Sequence, residues 1–389
     1  MPFKECSLMS LREEFCRLAL EGGANRSELC RSYGISRKTG YKWLQRHAEG
    51  EAGLRDRSRR PHHSPGKTSA EMEAKVLEQR EEHPCWGGRK LRRVLENDRV
   101  EGVPAASTIT QILRRNGRLD GPRAGEKRDY QRFEYPAPNE LWQMDFKGHF
   151  ALEQGRCHPL TLIDDHSRYA LEIGACADEQ TGTVRSRLER LFDRYGLPMR
   201  ILADNGAPWG TRGPTPLAVW LLDLEIGLIH GRPYHPQTQG KDERFHRTLK
   251  AEVIDRNSFR ALAEAQEAFD AWREIYNRRR PHEAIGLAVP ADRYRSSTRA
   301  MPKTIAPPDY GPEVQVRKVD ARGRISFMGR KLRCPDAFIG RPLALRATQT
   351  DGVFDLFYRR HVLAQVDLRQ NSVQPVTHIP EHLSPLYPV

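Results

Sequence analysis

Residues 234–250 start as a loop and continue as a helix: Tyr234-His235-Pro236-Gln237-Thr238-Gln239-Gly240-Lys241-Asp242-Glu243-Arg244-Phe245-His246-Arg247-Thr248-Leu249-Lys250. Proline and glycine interrupt the first half, and no helix breaker follows the last glycine. Phe245 and Leu249 form an apolar stripe, while Glu243, Arg247 and Lys250 lie at i, i+4 and i+7 on another face. An acid beside two cations suits a metal ligand whose neighbours contact phosphates. A solvated helix with an i,i+4 ion pair has the same pattern.

Two acids upstream favour the metal interpretation. A strand around Asp145 places Trp142, Met144 and Phe146 on the opposite face from that acid. A second, short apolar strand ends at Asp204, directly before an Asn-Gly turn. Two acids at strand ends and one on a helix can form an oxygen-rich pocket, and divalent metals such as magnesium prefer carboxylate ligands.

Three motifs in this order resemble the integrase core of bacterial insertion-sequence transposases and retroviral integrases. They are Trp-x-x-Asp-Phe at 142–146, Asp-Asn-Gly at 204–206 and His-Pro-Gln-x-x-Gly-Lys-x-Glu-Arg-x-x-x-x-Leu-Lys at 235–250. The resemblance covers roughly residues 135–295 and implies a ribonuclease H-like fold. The catalytic, metal-binding triad that it implies is Asp145, Asp204 and Glu243. The last spacing, 243 − 204 = 39, is close to the usual gap of the family.

The same resemblance implies phosphoryl transfer with two metal ions. Two Mg²⁺ (or Mn²⁺) ions about 3.5–4 Å apart would be bound by the triad. One would act on the attacking water or 3′-hydroxyl and the other on the leaving oxygen. The rival ligands are Asp164 and Asp165. An acidic pair at this place is common in the family and lies outside its triad, so we assign the pair a turn or supporting role.

The composition restricts the classes of function. A chain of 389 residues is too long for one ordinary core, so two to four domains are expected. A net charge of +13 and a pI of about 9.5 suit a polyanionic partner. A mean hydropathy of −0.72, without a long apolar run, disfavours a membrane role, and no apolar segment at the N-terminus marks the chain for export. The 7 scattered cysteines argue against a zinc site and for the reduced thiols of a cytosol.

Two helix-turn-helix modules are predicted before the core, at residues 1–50 and 69–120, with a basic linker at 51–68. In the first module Ser27 and Ser36 are expected to cap the second and third helices. The candidate DNA-binding residues of the two modules are Arg37, Lys38, Lys42 and Arg46 in the first, and Gln111 and Arg114 in the second. A plain three-helix bundle with a basic surface explains the same pattern.

The remaining segments complete a multidomain fold class. A linker is predicted at 121–134, followed by an α/β ribonuclease H-like core with a mixed five-stranded sheet at 135–298. Five short strands then predict a small β-barrel at 305–370, and residues 371–389 are expected to be disordered. Residues 317–333 contain seven Lys/Arg and one acid. This surplus favours DNA contact over a structural cap, although cations at strand edges also prevent aggregation.

Further DNA-contact candidates lie near the triad: His235, Lys241, Arg247 and Lys250. His235 either touches a phosphate or makes a hydrogen bond within its loop. The family also has a Tyr-Asn-x-x-Arg-Pro-His signature, which this chain carries at Tyr276, Asn277, Arg280, Pro281 and His282.

The resemblance therefore implies a transposase that cleaves and joins DNA ends. Its partners would be double-stranded transposon ends and target DNA, and it would act as a homo-oligomer at the nucleoid in a bacterial cytoplasm. One alternative is a catalytically silent, domesticated DNA-binding regulator, which has no reason to keep three ordered acids. Another is a stand-alone ribonuclease H-like nuclease, which would not need two N-terminal modules and a basic C-terminal barrel.

Overall fold

The computed structural model describes residues 8–57, 66–119, 134–204, 206, 208–209, 214–230, 240–369 and 372–375. The chain divides into two compact units, Met1–Lys67 and Thr68–Val389. Within the described residues, no helix combines the length and the apolar character needed to cross a membrane.

The first unit is built from three helices: α1 (Leu8–Leu20), α2 (Arg26–Ser32) and α3 (Arg37–His47). The three helices meet at Gly40, where a Cβ atom would lie 2.6 Å from Cys30 Sγ and 2.9 Å from Phe15 Cζ. A glycine is therefore needed at this crossing. Leu54 is buried in the same core, so the unit continues past residue 50 into the predicted linker.

The caps of these helices agree with the sequence in one case and differ in the other. The Ser36 hydroxyl accepts the Thr39 N–H at 3.1 Å, as predicted for the start of α3. The prediction of Ser27 as the cap of α2 is wrong. Asn25 caps this helix, because the helix already begins at Arg26, and the Asn25 side chain accepts the backbone N–H groups of Ser27 and Glu28. Asparagine and serine are comparably good N-caps, so propensity does not distinguish them.

The second unit opens with three further helices: α4 (Ala70–Glu82), α5 (Gly88–Asn97) and α6 (Ala106–Arg115). Three helices at this place fit the helix-turn-helix module predicted at 69–120. Ile275 of the following domain packs against their apolar core. The Arg279 guanidinium also donates to both carboxylate oxygens of Asp98, at 3.1 and 3.0 Å. The second helical module is thus attached to the α/β domain that follows it.

The α/β domain contains a mixed sheet of six strands: β1 (Trp142–Phe146), β2 (Phe150–Leu152), β3 (Gly155–Asp164), β4 (Ala170–Cys176), β5 (Arg200–Ala203) and β6 (Gly227–His230). β3 pairs antiparallel with β1, β2 and β4, whereas β1, β5 and β6 are parallel neighbours. Five strands were expected. The additional strand, β2, arises because the chain bends at Gly148, which has a φ of 82°.

Helices cover both faces of this sheet. One face carries α7 (Thr181–Tyr195) and α8 (Pro216–Asp223). The other carries α9 (Gly240–Glu252) and α10 (Leu262–Arg278), and a short helix, α11 (Pro290–Arg293), follows. The two apolar cores contain, among others, Trp142, Leu162 and Leu188 on the first face and Ile173, Phe245 and Phe269 on the second. This arrangement confirms the predicted α/β core.

The C-terminal part forms two antiparallel sheets from seven strands: β7 (Gln315–Lys318), β8 (Arg324–Phe327), β9 (Arg330–Arg333), β10 (Pro342–Ala347), β11 (Val353–Tyr358), β12 (His361–Asp367) and β13 (Ser372–Pro375). The larger sheet has the order β13-β12-β11-β10-β7, and β8 pairs with β9 alone. The predicted small barrel is not confirmed, because in the described residues β7 and β13 stay unpaired edges. The β8–β9 hairpin packs on the sheet through Phe327 and Phe354, whose ring centroids are 4.8 Å apart. β13 lies where a disordered tail was expected.

A buried acid of α8 joins this sheet to the α/β domain. Asp223 is 6% exposed. Its carboxylate accepts the Tyr358 hydroxyl and contacts the guanidinium groups of Arg341 at 3.0 Å and Arg359 at 3.3 Å. A buried carboxylate is tolerated when cations and donors surround it, so these groups dock the C-terminal sheet in one position.

The crossing of α5 and α6 yields a stability prediction. A Cβ atom on Gly88 would lie 2.4 Å from the Ala106 carbonyl oxygen and 2.5 Å from Thr110 Oγ1. Gly88→Ala is therefore expected to destabilise the chain by about 1–3 kcal/mol in urea unfolding followed by circular dichroism. The neighbouring Gly87→Ala is the matched control, because its Cβ would meet no atom within 4 Å. Equal stability of the two variants would contradict the tight crossing.

Candidate active site

Asp145 lies near the end of β1, on the face covered by α9. The preceding alternation is as predicted, because Trp142 and Met144 are fully buried in the core of the opposite face. The Asp145 side chain keeps 22% of its surface exposed. Its backbone is held by the neighbouring strand, since the Thr161 hydroxyl donates to the Asp145 carbonyl oxygen at 3.0 Å. The carboxylate therefore projects from a rigid strand.

Asp204 directly follows β5, the parallel neighbour of β1. The register pairs Trp142 with Ile201, and its continuation by three residues brings Asp204 level with Asp145. The Asp204 carboxylate accepts the Gly206 N–H at 2.9 Å, and the His230 Nδ1–H donates to its carbonyl oxygen at 2.8 Å. The end of β5 is thus fixed by a turn and by β6.

Glu243 stands in the first turn of α9 and is exposed. The rotation of this helix is set by Phe245, which is buried beneath it. The Phe245 ring meets Tyr276 edge-on at 4.9 Å and Trp272 at 5.7 Å, both from α10. Aromatic packing of this kind has a defined geometry. It holds α9 where the charge of Glu243 is close enough to raise the pKa of Asp145.

The electrostatics of the three acids are coupled. Burial, followed by repulsion from Asp204, raises the pKa of Asp145 to about 7, and the charges of Glu179 and Glu243 act in the same direction. Sequence reasoning missed Glu179. Among the described residues, no three His, Cys, Asp or Glu side chains are close enough together to hold a metal. The structure thus brings the predicted triad to one end of the sheet without closing it into a ligand cluster.

Comparisons with known proteins agree with this architecture. Two integrase core domain models match residues 136–236 and 224–290, and the C-terminal domain of IS481 family transposases matches 314–374. Helix-turn-helix and homeodomain-like models match 11–62 and 39–113. The chain carries the domains of an insertion-sequence transposase.

Individual relatives of this transposase come from bacterial insertion elements. A 31.7 kDa protein of insertion element IS407 from Burkholderia multivorans is 27% identical over 226 residues, which cover 57% of this chain and 79% of that protein. A 39.2 kDa protein of IS476 from Xanthomonas euvesicatoria is 28% identical over 40% of this chain and 44% of its own length. A chain of the simian T-cell lymphotropic virus intasome is 15% identical, with a TM-score of 0.37 over 78% of this chain and 96% of that chain.

The rival acids of the transposase core are occupied by internal hydrogen bonds. The Asp164 carboxylate accepts the Asn139 N–H at 2.7 Å and both the N–H and the hydroxyl of Ser167, at 2.8 and 2.6 Å. The Asp165 carboxylate accepts the Gln143 side-chain amide at 2.6 Å. Both acids are fully buried. Their contacts hold the turn after β3 against β1 and the segment before it. We call such hydrogen-bonded, buried acids frame acids.

Lys241 contacts one of these frame acids. Its ammonium pairs with the Asp165 carboxylate, and its side chain is 15% exposed. Burial lowers the pKa of Lys241 to about 8, although the charge of Asp165 opposes this. The lysine thus ties the start of α9 to the turn after β3. Its contact with DNA stays a prediction.

The other predicted DNA-contact residues lie on several elements. Arg247 and Lys250 are exposed on α9. In the helical modules the exposed candidates are Arg37, Lys38 and Lys42 on α3 and Gln111 and Arg114 on α6, while Arg46 is half-buried beside the Trp43 ring. His235 falls outside the described residues. None of these contacts is tested by the geometry, and they stay predictions.

The Tyr-Asn-x-x-Arg-Pro-His signature, which begins in the last turn of α10, has a structural role that the sequence did not reveal. The Asn277 side chain accepts the Ala170 N–H at 2.8 Å and donates to the Ala170 carbonyl at 2.9 Å, as a further strand would. Arg280 pairs with Glu252 at 3.2 Å, and both side chains are 10% exposed. The signature therefore fastens α10 to β4 and to the end of α9.

His246 is a second neighbour of Asp145 that sequence reasoning missed. Its Nδ1 lies 3.9 Å from Asp145 Oδ2, and burial, together with the charge of Lys147, lowers the pKa of His246 to about 4. The imidazole is therefore neutral at physiological pH. The available signal was its position three residues after Glu243, on the adjacent surface of the same helix.

The raised pKa of Asp145 predicts how the stability of the metal-free protein depends on pH. Between its ordinary value of 3.8 and about 7, the folded state binds a proton that the unfolded state has released. Stability therefore falls as the pH rises through this window. Asp145→Asn is expected to stabilise the chain at pH 8 by on the order of 2 kcal/mol, and less at pH 5, in urea unfolding with a chelator. The exposed Asp193→Asn is the control, and an equal pH response in Asp145→Asn and wild type would refute the shift.

Proposed function

We propose that this transposase cleaves and joins DNA ends by Mg²⁺-dependent phosphoryl transfer, with Asp145, Asp204 and Glu243 as metal ligands. The observation that carries the proposal is the parallel pairing of β1 and β5. It aligns two acids at one sheet end, near a third acid on α9, and leaves the partly buried carboxylate of Asp145 with a raised pKa.

The donor set fits a divalent cation. All three groups are carboxylates, the hard oxygen ligands that Mg²⁺ and Mn²⁺ prefer, and the mutual repulsion felt by Asp145 is the charge that such a cation would neutralise. A bound divalent metal supplies activation of the attacking oxygen and stabilisation of the leaving oxygen, and two ions are the proposed number. We expect the cation to be bound by the three carboxylates together.

The reaction needs no nucleophile from the protein. In the first step water attacks a phosphodiester, and the broken P–O bond leaves a free 3′-hydroxyl on the DNA end. In the second step this hydroxyl attacks a phosphodiester of target DNA and displaces its 3′ oxygen, which takes a proton from solvent. Arg247 and Lys250, exposed on α9 beyond Glu243, would hold the phosphates of the DNA end beside the carboxylates.

DNA recognition is assigned to the helical modules. The exposed cations of α3 and the exposed polar residues of α6 would contact the transposon ends, in agreement with the helix-turn-helix matches. Simultaneous synapsis of two transposon ends requires two active sites, because one triad acts on one end, so we propose that the transposase acts as a homo-oligomer. The silent-regulator alternative has no observation in its favour, since all three acids are present in the expected order.

The triad yields the central prediction. Asp145→Asn, Asp204→Asn and Glu243→Gln should each reduce end cleavage and strand transfer by at least about 10³-fold, because a neutral amide is a poor ligand for a hard cation. Binding of end DNA, measured by fluorescence anisotropy, should survive. Glu267→Gln, exposed on α10, is the matched control.

The same assay tests the cation. Activity should require Mg²⁺ or Mn²⁺ and disappear with a chelator, while folding should not require zinc. Cleavage at the wild-type rate by any triad variant would contradict the ligand assignment. Stoichiometric zinc in the purified protein would contradict the inference, drawn from the scattered cysteines, that the chain has no zinc site.

The assignment of α3 is tested on the full chain, because the second module packs against the catalytic core and a short fragment would lose those contacts. The double variant Arg37→Ala/Lys38→Ala should bind end DNA more weakly. Its dependence of log affinity on log salt should be less steep by up to about 2, since each lost phosphate contact removes about 0.9 from the slope.

The control for charge alone is Arg190→Ala/Arg194→Ala, which removes two exposed cations from α7 on the sheet face opposite α9. Titrations on end DNA and scrambled DNA separate recognition from general attraction. An α3 variant that behaves as the α7 control does would remove α3 from the DNA interface.

A further inference from the structure

A chain of two hydrogen bonds connects α9 to the backbone of Asp145. The Thr161 hydroxyl donates to the Asp145 carbonyl oxygen at 3.0 Å, and the same hydroxyl lies 2.7 Å from His246 Nε2. Thr161 is fully buried on β3, directly opposite Asp145 in the strand register, and the His246 side chain is 13% exposed. The contacts are thus shielded from water. Hydrogen bonds are electrostatically stronger in the protein interior than in water.

The direction of these bonds places a proton on Nε2 of the imidazole. A hydroxyl has one proton, and a carbonyl oxygen can only accept. Because the Thr161 proton is used by Asp145, the bond to His246 requires an Nε2–H that donates to the threonine oxygen. The other ring nitrogen, Nδ1, lies 3.9 Å from Asp145 Oδ2, beyond hydrogen-bond distance.

The placement of the ring matters for the site. A lysine or arginine at the same place would pair with the Asp145 carboxylate and repel a divalent cation. The imidazole is instead held by its Nε2–H on the threonine hydroxyl, and its Nδ1 makes no hydrogen bond to the carboxylate. In known metal sites, groups that orient a ligand from behind typically contribute 10–100-fold in metal affinity.

We propose that His246 and Thr161 are positioning residues that orient Asp145 for binding of a divalent cation. The inference rests on the proposed function, in which Asp145 is a metal ligand. Neither residue touches the reacting atoms. Their effect would arise because the two bonds fix the backbone of Asp145 on β1 and hold α9, which carries Glu243, at a fixed distance from that strand.

The test measures binding of Mn²⁺ alone to the full chain, by calorimetry and by the electron paramagnetic resonance of the free ion. His246→Asn loses the Nε2 donor, and Thr161→Val loses the hydroxyl with little change in shape. Each should weaken Mn²⁺ binding about 10-fold. His246→Gln keeps an N–H near the Nε2 position and Thr161→Ser keeps the hydroxyl, so both should stay within about 3-fold of wild type.

A double-mutant cycle separates positioning from unrelated damage. Because the two residues act through one chain of bonds, His246→Asn/Thr161→Val should bind Mn²⁺ no more weakly than either single variant. Thr248→Val is the matched control, since its hydroxyl also donates to a backbone carbonyl on α9, that of Arg244 at 2.9 Å. It should bind Mn²⁺ as wild type does. Urea unfolding without metal identifies any variant that fails to fold. Where His246→Asn or Thr161→Val fails to fold, the result is decided by His246→Gln and Thr161→Ser.

The outcomes distinguish this inference from the proposed function. If Asp145→Asn weakens Mn²⁺ binding but His246→Asn and Thr161→Val do not, the positioning role is overturned and the metal site stands. Additive losses in the double variant, or losses that Gln and Ser fail to restore, overturn it as well. If Asp145→Asn itself binds Mn²⁺ as wild type does, the proposed metal site fails and this inference fails with it.

Discussion

Strand β5 pairs in parallel with β1, and this pairing brings Asp204 level with Asp145. Two carboxylates in adjacent positions repel each other, and the partial burial of Asp145 adds a desolvation cost. The apolar sheet offsets that cost, because Trp142 and Ile201, one on each strand, are fully buried in the core beneath the acids. The fold is thus less stable than it would be without this concentration of negative charge at one sheet end, as is common at functional sites.

The position of α9 depends on contacts made by α10 rather than on α9 alone. Phe245 packs between Tyr276 and Trp272, while Glu252, at the last turn of α9, accepts the Trp272 indole N–H at 2.9 Å and pairs with Arg280. These contacts anchor the helix by an aromatic cluster in its first half and by a buried ion pair at its end. The family signature at the end of α10 therefore acts on the site from a distance, through the orientation of the helix that carries the third acid.

Buried acids also hold the molecule together away from the triad. Asp165 links the turn after β3 to Lys241 of α9, and Asp223 links α8 to Arg341, Arg359 and Tyr358 of the C-terminal sheet. A buried carboxylate that loses its partner is strongly destabilising, whereas a fully partnered one fixes a single arrangement. The same residue type thus has two uses in this chain: frame acids are saturated by donors, and triad acids are left near one another with few.

The sequence by itself determined the local features: helices and strands that follow apolar periodicity, the ordered triad motifs, and the basic charge. These depend on residues close together in the chain. The tertiary structure decided the rest. Thr161 and His246, 85 residues apart, meet beside Asp145, and no local pattern encodes that contact. Closure of the C-terminal strands was also beyond local patterns, because strand propensity predicts a strand without its partner, and pairing is settled by which apolar faces can pack together.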